Sequence, residues 1–479
     1  MTQAGKETKE LRTPELLLFA GADVFGGGGQ SILSVLYLVF LTNILGIHPA
    51  WAGAVIMIAK GWDAVSDPLM GVISDNTRSR FGRRKPYLVL GGILLVFSMA
   101  LLWLPVRFGS HAARVAYMTF SYLVYSTVST VISVPYSSMS TEITNDFSLR
   151  NRVNVVRLVF SLVATAVCTL LPSMLFGSLT GGRLSVTGFY LSIVLGFGLA
   201  FAIPTVLAGV FVKERVPYGK ERSAFSWRTL WVPLKVRAFR KLLGLYLAQS
   251  ITLDIVSAVI IYYGLYVVPG ISSTVFLGTF LGMQLLIFPV LLRLVDRTPK
   301  PTLYRLGLPL SMLGAAGIAL FPAGGPPVLL YVITGLTALG FAGAQSMSWI
   351  MFPDVVDIGE LSLGQRITGS FSGAMTFVRK VSSAVAIFLV GALLGMAGFV
   401  RPTDLVPEPA QPGATLLAIR LLILLAFVLL MGAAWLSARR FGISPALSRR
   451  VKELLEHRQA GTAAPKDAED EARILKDLG

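Results

Sequence analysis

Two carboxylates one helical turn apart stand inside an apolar stretch of this sequence. Residues 51–74 read WAGAVIMIAKGWDAVSDPLMGVIS and contain Asp63 and Asp67, with Lys60 a turn earlier and Pro68 directly after. At positions i and i+4, both acids project from the same face of a helix. A charge at the centre of a bilayer costs about 2.5–3.5 kcal/mol on insertion scales, so the pair indicates a functional site that faces a polar cavity.

The pair predicts cation chemistry of one of two kinds. A small hard cation such as Na⁺ prefers oxygen ligands, and two carboxylates with a hydroxyl from a neighbouring helix compensate its dehydration. Alternatively, two close acids in a low dielectric repel each other, so that one holds a proton and the pair becomes a proton carrier. A third interpretation is structural: Lys60 and another base neutralise the acids and hold helices together.

The composition is that of a polytopic membrane protein. Of the 479 residues, 54% are hydrophobic and 14% are charged, and the mean hydropathy is +0.71, whereas about a quarter of residues are charged in soluble proteins. Apolar runs of roughly 20 residues, long enough to cross a bilayer, recur along the chain. We predict an all-α protein with about twelve transmembrane helices in two six-helix bundles, with spans near residues 15–45, 50–75, 87–106, 113–143, 152–176, 187–213, 241–267, 272–296, 302–321, 327–353, 367–398 and 414–440.

The positive charge follows the predicted topology. The formal net charge is +17, but nucleic-acid binding requires a folded basic face, and no nucleic-acid partner is expected. Alternate loops and both termini hold nearly all Lys and Arg, whereas the opposite loops offer only Arg107, Arg114, Arg183 and Arg401. The positive-inside rule therefore places both termini and the central loop in the cytoplasm.

The chain divides into two predicted halves and two polar segments. Residues 1–213 form an N-terminal six-helix bundle with the cation site, 214–240 a cytoplasmic linker, 241–440 a second bundle and 441–479 a cytoplasmic tail. Aromatics and prolines interleaved with charge between residues 213 and 241 favour an interfacial amphipathic segment over a solvated linker. The tail is expected to hold a short surface helix followed by disorder.

A weak internal echo relates the two halves. After the second span an acid is followed by basic residues that end in Lys85-Pro86, and after the eighth by basic residues that end in Lys300-Pro301. Parallel repeats of this kind are expected in a transporter that is built from two similar halves.

Motifs of other protein classes are missing from the sequence. It has three histidines outside the predicted spans and the single Cys168, which gives no Cys/His metal-site spacing and no intramolecular disulfide. It has no Walker A loop, so the sequence shows no ATP-binding motif that could drive a pump. We expect no enzyme activity. The glycine run 26–29 is expected to allow close helix packing or a bend. No cofactor is expected beyond a coupling ion, Na⁺ or H⁺, with Li⁺ as a further fit.

Other polar residues embedded in the spans are candidates for the opposite wall of the cavity. Lys380, next to Arg379, interrupts the eleventh span, and a base there can pair with the acids when the cation is absent. Arg157 in the fifth span and Asp23 in the first are further inward-facing candidates. Asp254 in the seventh span is the weakest, since an interhelical partner would explain it.

Three segments resemble a known transporter family. GWDAVSDPLMGVISDNTRSRFGRRKP, residues 61–86, is similar to the signature of the glycoside-pentoside-hexuronide:cation symporter family (melibiose permease-like) of the major facilitator superfamily. SVPYSSMSTEITND, residues 133–146, resembles its fourth-to-fifth-helix region, and FPDVVDIGELSLGQRITGSFSG, residues 352–373, its tenth-to-eleventh-helix loop. The likeness spans nearly the whole chain. It implies a plasma-membrane protein, in bacteria of the inner membrane, and we expect it to work as a monomer in the lipid bilayer.

The resemblance implies an intact cation site. Asp63 and Asp67 match the cation-site acids of the family, and Thr130 falls where its fourth helix contributes a hydroxyl. Lys380 matches its eleventh-helix lysine, and Lys60 occupies a position usually held by arginine.

The sugar site that the resemblance implies is altered. Arg157 matches the fifth-helix arginine of the sugar cavity, but one sugar-binding acid falls at Gly27, a second is replaced by Ser133, and an aromatic appears as Ser137. Asp23 matches a Gly-Asp of many members but lies one turn away. Carboxylates that accept hydrogen bonds from sugar hydroxyls are costly to lose in a buried site, which argues against a galactoside specifically.

The basic loop Arg78–Lys85 is the candidate gate. Near Asp75, its residues Arg80, Arg83 and Arg84 are expected to latch helices together in the outward-open state. The alternative is that their charge only sets topology.

The leading hypothesis is a secondary-active symporter that imports a small polar solute, a sugar or glycoside, together with a cation by alternating access. A second hypothesis is a cation-coupled carrier of lysolipids or other amphiphiles, because small residues at the sugar positions leave room for an acyl chain. A third is a non-transporting sensor or a channel.

Overall fold

The computed structural model describes residues 13–106, 108–144, 147–215, 231–295, 300–365, 367–403, 409–439, 441, 445–460 and 465–478. Within these ranges the chain is helical, with connecting turns and loops and no strand. Most of the predicted linker, residues 216–230, lies outside the described residues, so its interfacial character stays a prediction.

Unit 1 of the chain comprises Met1–Phe225 together with Arg401–Pro409. Its helices are α1 (Thr13–Gly21), α2 (Asp23–Ile32), α3 (Pro49–Asn76), α4 (Lys85–Trp103), α5 (His111–Glu142), α6 (Phe147–Thr180), α7 (Val186–Leu191) and α8 (Gly198–Phe211). Within the unit, α2 packs along α6, α3 along α5, and α4 along α5 and α8.

Unit 2 comprises Ser226–Val400 and Ala410–Gly479. Its α-helices are α9 (Arg237–Tyr262), α10 (Ser273–Val295), α11 (Lys300–Ala319), α12 (Pro327–Leu363), α13 (Thr368–Met396), α14 (Gly413–Leu425), α15 (Gly432–Arg439), α16 (Pro445–Ala460) and α17 (Pro465–Leu478). Both α4 and α11 begin at the Lys-Pro pairs of the sequence echo, where proline favours a first helical turn.

Nine helices of the described residues are long and apolar enough to cross a membrane. The other three predicted spans correspond to α3 and to two helices with shorter apolar stretches, Ser273–Ile287 and Arg305–Ala319. Helix α3 carries Lys60, Asp63 and Asp67, and these charges lower its hydropathy. The prediction of an all-α, multi-pass protein is confirmed, and the number twelve stays a prediction.

Helical turns of the π type interrupt four of the predicted spans in the described residues. They are Leu33–Tyr37 and Phe40–Ile44 in the first span, Ser192–Phe197 in the sixth, Tyr263–Val267 in the seventh and Ala426–Met431 in the twelfth. Each π turn accommodates one residue more than an α turn. The interrupted spans are therefore the first and the last of each predicted half.

An aromatic cluster fixes α5 in unit 1. The ring of Tyr37 lies 4.8 Å from Tyr122 and 5.5 Å from Trp103, centroid to centroid, and Trp103 is almost fully buried. Aromatic pairs of this kind contribute about 0.5–1.5 kcal/mol beyond their buried area. Because Tyr122 precedes Ser126 by one turn, the cluster sets the rotation of the helix face that α5 turns toward α3.

The tail packs against unit 2, contrary to the predicted disorder. Val451 and Leu454 of α16 and Ile474 and Leu478 of α17 belong to the buried core of unit 2. Arg450 donates to Asp470 at 2.9 Å and to Asp467 at 2.8 Å, and these hydrogen bonds to carboxylates raise the pKa of its guanidinium. The prediction of disorder after the first tail helix is wrong, because an apolar stripe and a proline start were hidden within a highly charged stretch.

Candidate functional site

The paired acids lie in the middle of α3, half-buried, on the face that meets α5. Helix α3 begins with His48 as N-cap, whose ring accepts from the backbone N–H of Ala50, and continues through Pro68 to Asn76. Pro68 has no N–H for the carbonyl of Ala64. A backbone acceptor is thus released one turn before the proline, next to Asp63.

Hydroxyls of α5 meet each acid. Ser126 donates from Oγ to Oδ1 of Asp63, and Thr130 donates from Oγ1 to Oδ1 of Asp67 at 2.8 Å. The buried Ser66 of α3 stands between the two acids in the sequence, and its hydroxyl lies 3.1 Å from the Thr130 hydroxyl. The structure therefore brings together two carboxylates and three hydroxyls, an oxygen-rich cluster that suits a small hard cation.

No group of three or more His, Cys, Asp or Glu side chains within metal-binding reach occurs in the described part of the chain. Lys60, on the same helix three residues before Asp63, is buried at 6% exposure. Its position next to the acids agrees with the charge-partner role that the sequence predicts, and that role stays a prediction.

A second polar cluster in unit 1 joins α2, α5 and α6. Asp23 at the start of α2 forms an ion pair with Arg157 of α6 at 3.4 Å, and their side chains are 13% and 15% exposed. The guanidinium of Arg157 lies over the ring of Tyr136 at 4.4 Å, and the Tyr136 hydroxyl donates to the carbonyl of Phe19 at 2.8 Å. A carboxylate, a guanidinium and an aromatic ring thus share one cluster, in which the ring, 4% exposed, lies against the guanidinium.

The other predicted solute positions are occupied differently. A Cβ at Gly27 would lie 2.2 Å from the carbonyl oxygen of Ser161, so this position serves the close contact of α2 with α6 and has no room for an acid. The Ser137 hydroxyl donates to the carbonyl of Ser133 within α5 at 2.7 Å. The expectation that the glycine run allows close packing is confirmed at Gly27 and Gly28, where a Cβ would meet Cys168 at 2.7 Å.

In unit 2, Asp254 and Arg379 form an ion pair. Arg379 of α13 donates to both oxygens of Asp254 in α9, at 2.7 and 3.0 Å, and Asp254 is 5% exposed. Asp254 therefore has the interhelical partner that the sequence left open. Lys380 follows directly in α13, and its predicted pairing with the acids of unit 1 stays a prediction.

The basic loop is held within unit 1 by two acids. Arg84, 3% exposed, forms an ion pair with Asp75 at the end of α3. Glu214, after α8, accepts from the backbone N–H groups of Arg83 at 2.9 Å and Arg84 at 2.8 Å. Gly82 has φ +107°, and a Cβ there would lie 2.6 Å from the Glu214 carboxylate, so both its conformation and its surroundings require glycine. Arg80 instead lies over the ring of Phe81 at 4.7 Å.

Sequence reasoning missed four of these side chains: Ser66, Ser126, Tyr136 and Glu214. Ser126 stands four residues before Thr130, and Ser66 three residues after Asp63. These spacings put each pair on one helix face, which is a usable signal once α3 and α5 are known to pack together. Tyr136 directly precedes the serine to which the aromatic role was assigned. Glu214 lies 131 residues from Arg83, and nothing local to either residue announces the contact.

The comparisons with known proteins agree on one family. The model of the family described as MFS/sugar transport protein matches residues 20–444. An uncharacterized symporter of Synechocystis is 28% identical, over 92% of this chain and 96% of the relative. A protein of Salmonella typhimurium named as a putative sulfoquinovose importer is 27% identical, over 92% of each chain, and an Escherichia coli glucuronide carrier protein homolog is 24% identical, over 81% of this chain and 84% of the relative.

Solved structures share the fold. A bacterial homolog of the human lysosomal transporter Spinster superposes with a TM-score of 0.62 at 13% identity, covering 91% of this chain and 98% of that one. A nucleoside transporter superposes with a TM-score of 0.61 at 15% identity, covering 88% of this chain and 98% of that one. At this level of identity the likeness extends to the fold alone, that of the major facilitator superfamily.

Proposed function

Because the chain belongs to the MFS/sugar transport protein family of cation-coupled symporters, we propose that it imports a sugar or glycoside with a cation that binds at Asp63 and Asp67. The family and the relatives are membrane transporters, so the protein is not an enzyme. Its partners are a small solute and a coupling cation. We further propose a monomer in the bacterial inner membrane, with both termini in the cytoplasm, as the loop charges indicate.

One observation carries this proposal: each acid of the α3 pair accepts a hydrogen bond from a hydroxyl of α5. A hydroxyl satisfies a carboxylate oxygen without cancelling its charge, and its own lone pairs remain available as ligands. Two carboxylates and three hydroxyls on two helices can therefore replace the hydration shell of a cation.

The oxygen count favours Na⁺ over H⁺ as the coupling ion. A proton needs a single carboxylate oxygen, so the hydroxyls of Ser66, Ser126 and Thr130 would be superfluous in a proton carrier. Li⁺ binds the same oxygens and is the expected substitute. Binding of the cation would draw α3 and α5 together at the acids, and its release would loosen them.

The solute is assigned to the cluster of Asp23, Arg157 and Tyr136. Asp23 is suited to accept hydrogen bonds from sugar hydroxyls, and Arg157 to bind hydroxyls or an anionic substituent. Relatives named for sulfoquinovose and for glucuronides handle sugars that carry a sulfonate or a carboxylate, so an anionic sugar is the first solute class to test. The amphiphile alternative is not favoured, because these relatives are named for sugars.

Uptake into proteoliposomes tests the proposal. The purified full chain is reconstituted, and radiolabelled sulfoquinovose, a glucuronide and a neutral galactoside are offered under an inward Na⁺ gradient, an inward proton gradient or neither. We expect accumulation of an anionic sugar that requires the Na⁺ gradient and disappears when an ionophore collapses it.

Two outcomes would overturn the assignment. Saturable transfer of a fluorescent lysolipid with no sugar uptake would establish the amphiphile carrier. Downhill flux that never exceeds the external concentration, under any gradient, would rule out cation-coupled symport. Accumulation driven only by the proton gradient would keep the symporter and replace the ion.

A further inference from the structure

The end of unit 1 opposite the basic loop contains a cavity of about 550 Å³. Its wall is formed where helices of this unit end or begin: Asn43 to Leu45 at the end of the first span, Phe108 and Arg114 around the start of α5, Phe176 and Thr180 at the end of α6, and Pro402 and Thr403 of the segment that belongs to this unit. Pockets for small ligands have volumes of roughly 300–1,000 Å³. The cavity is therefore of ligand size and distinct from the acids of α3.

Arg114 stands in this wall with one donor unused. Its Nη1 donates to the carbonyl of Leu45 at 2.7 Å, which fixes the guanidinium against the chain. Its Nε is buried and has no hydrogen-bond partner among the described residues. A buried donor on a charged group is costly to leave unsatisfied, so the geometry calls for an acceptor that enters the cavity.

The charges around the cavity have one sign in the described part of the chain. Arg401 donates to the carbonyl of Gly46 at 2.9 Å, beside the Leu45 that holds Arg114. Neither arginine has an ion pair with a described residue. Phe108, Phe176 and Val186 add apolar surface to the wall. The ligand should therefore be an organic molecule that carries an anionic group and also has an apolar surface.

We propose that this cavity is a binding site for an organic anion, whose carboxylate, sulfonate or phosphate accepts from Nε of Arg114. The guanidinium presents a fork that matches such oxygens. Two sources share this chemistry: a free anionic sugar that binds before transport, and the phosphate of an anionic phospholipid. The site does not depend on the cation or solute assignments made above.

Binding of D-glucuronate to the full chain in nanodiscs tests the site, with D-glucose as the neutral comparison. The measurements use an Arg157→Gln background, which removes the guanidinium of the proposed solute cluster. We expect saturable glucuronate binding in that background and a loss of at least tenfold in affinity when Arg114→Gln is added. Arg114→Lys keeps the charge but lacks the Nε donor, and should fall between the two.

Arg183→Gln is the matched control. Arg183 is an exposed residue that follows Gly182 of the cavity wall without belonging to that wall, so its loss changes the local charge equally and should leave the affinity unchanged. Thermal unfolding of each variant without ligand shows whether it is folded, and Arg114→Lys serves if Arg114→Gln is not. Equal glucuronate affinity in the Arg114 and Arg183 variants, or no saturable binding at all, would overturn the site.

The lipid composition of the nanodisc separates the two sources. If phospholipid fills the cavity, phosphatidylglycerol discs should weaken glucuronate binding relative to phosphatidylcholine discs, and native mass spectrometry should find a retained phosphatidylglycerol that Arg114→Gln releases. If a free anion fills it, the affinity should be the same in both discs. Either result supports an anion site at Arg114.

Discussion

The paired acids of α3 and the buried Asp254 of α9 are held in two different ways. In unit 1, Asp63 and Asp67 are half-buried and accept from hydroxyls of α5. In unit 2, Asp254 is nearly fully buried and accepts two hydrogen bonds from one guanidinium. A guanidinium cancels the charge that it binds, whereas a hydroxyl leaves it in place. This difference supports the proposed cation-binding role of Asp63 and Asp67, whereas the Asp254–Arg379 pair joins α9 to α13.

The sharpest test of this contrast is the neutral substitution of the acids in unit 1. Asp63→Asn and Asp67→Asn keep the shape of the side chains but remove the charge that the cation requires. We expect each variant to lose all gradient-driven accumulation of solute while folding normally, measured by uptake into proteoliposomes and by thermal unfolding.

Asp470→Asn in the tail is the control for that substitution, since it makes the same chemical change outside the spans. It should accumulate solute like the unmodified chain. Accumulation that survives in both α3 variants would show that coupling does not depend on these acids.

The same substitution in unit 2 should act on stability instead. Asp254→Asn leaves the partly buried Arg379 guanidinium without its charge partner, which costs about 3 kcal/mol, the low end of the range for a broken buried pair. We expect a large drop in the unfolding temperature and in yield, with cation-dependent stabilisation of the remaining protein intact.

The double variant Asp254→Leu with Arg379→Met separates charge from packing. Replacing both members of a buried pair by apolar side chains is often neutral, so most of the lost stability should return. If the double variant folds well but has lost cation dependence, the pair belongs to the coupling machinery and the contrast between the units fails.

A smaller effect is expected from the hydroxyls. Thr130→Val removes a hydrogen bond to a charged acceptor, worth about 1.5–3 kcal/mol, so cation affinity should fall by roughly 10- to 100-fold at about 1.4 kcal/mol per decade. The measurement is the cation concentration that gives half-maximal uptake.

Thr127→Val is the matched control on the same helix. The Thr127 hydroxyl is exposed and accepts from the indole of Trp62 at 2.9 Å, away from the acids. Its loss should leave the half-maximal cation concentration unchanged. Equal shifts in the two threonine variants would mean that Thr130 acts through helix stability rather than as a ligand.

The smallest effect concerns the third manner of holding a carboxylate, by backbone N–H groups. Glu214→Gln keeps one acceptor oxygen but removes the charge, which should cost about 1 kcal/mol and lower the unfolding temperature by a few degrees. Uptake should be slowed modestly. A complete loss of transport would show that the basic loop acts as the gate and is more than an anchored segment.

The acids could be predicted from the sequence because a charged residue within a long apolar run is evident without a structure. Asp63, Asp67 and Thr130 were found by type, spacing and resemblance, and the helices by apolar length. Ser126 was missed because α5 carries serines and threonines on several faces, and only the packing of α5 on α3 selects among them. Thr127 follows Ser126 directly, yet its hydroxyl contacts Trp62 and not an acid.

Long-range contacts and mixed patterns account for the other gaps. The Arg157 guanidinium needs Tyr136 and Asp23 from two other helices, and their shared cluster depends on the close approach that Gly27 permits. The second tail helix was misjudged because its charged residues outnumber Ile474 and Leu478, although these two stand at helical spacing.

The π turns of the first span have a consequence for how this span can vary. Each inserts one extra residue, which advances the rotational phase of everything beyond it by about 100°. Asp23 lies before both turns, and Leu45, which accepts from Arg114, lies after them. The helix faces on which Asp23 and Leu45 lie are therefore set separately within one span. A single-residue deletion at either turn would restore regular α-helix and leave Asp23 in place, yet rotate the cavity end away from its arginine.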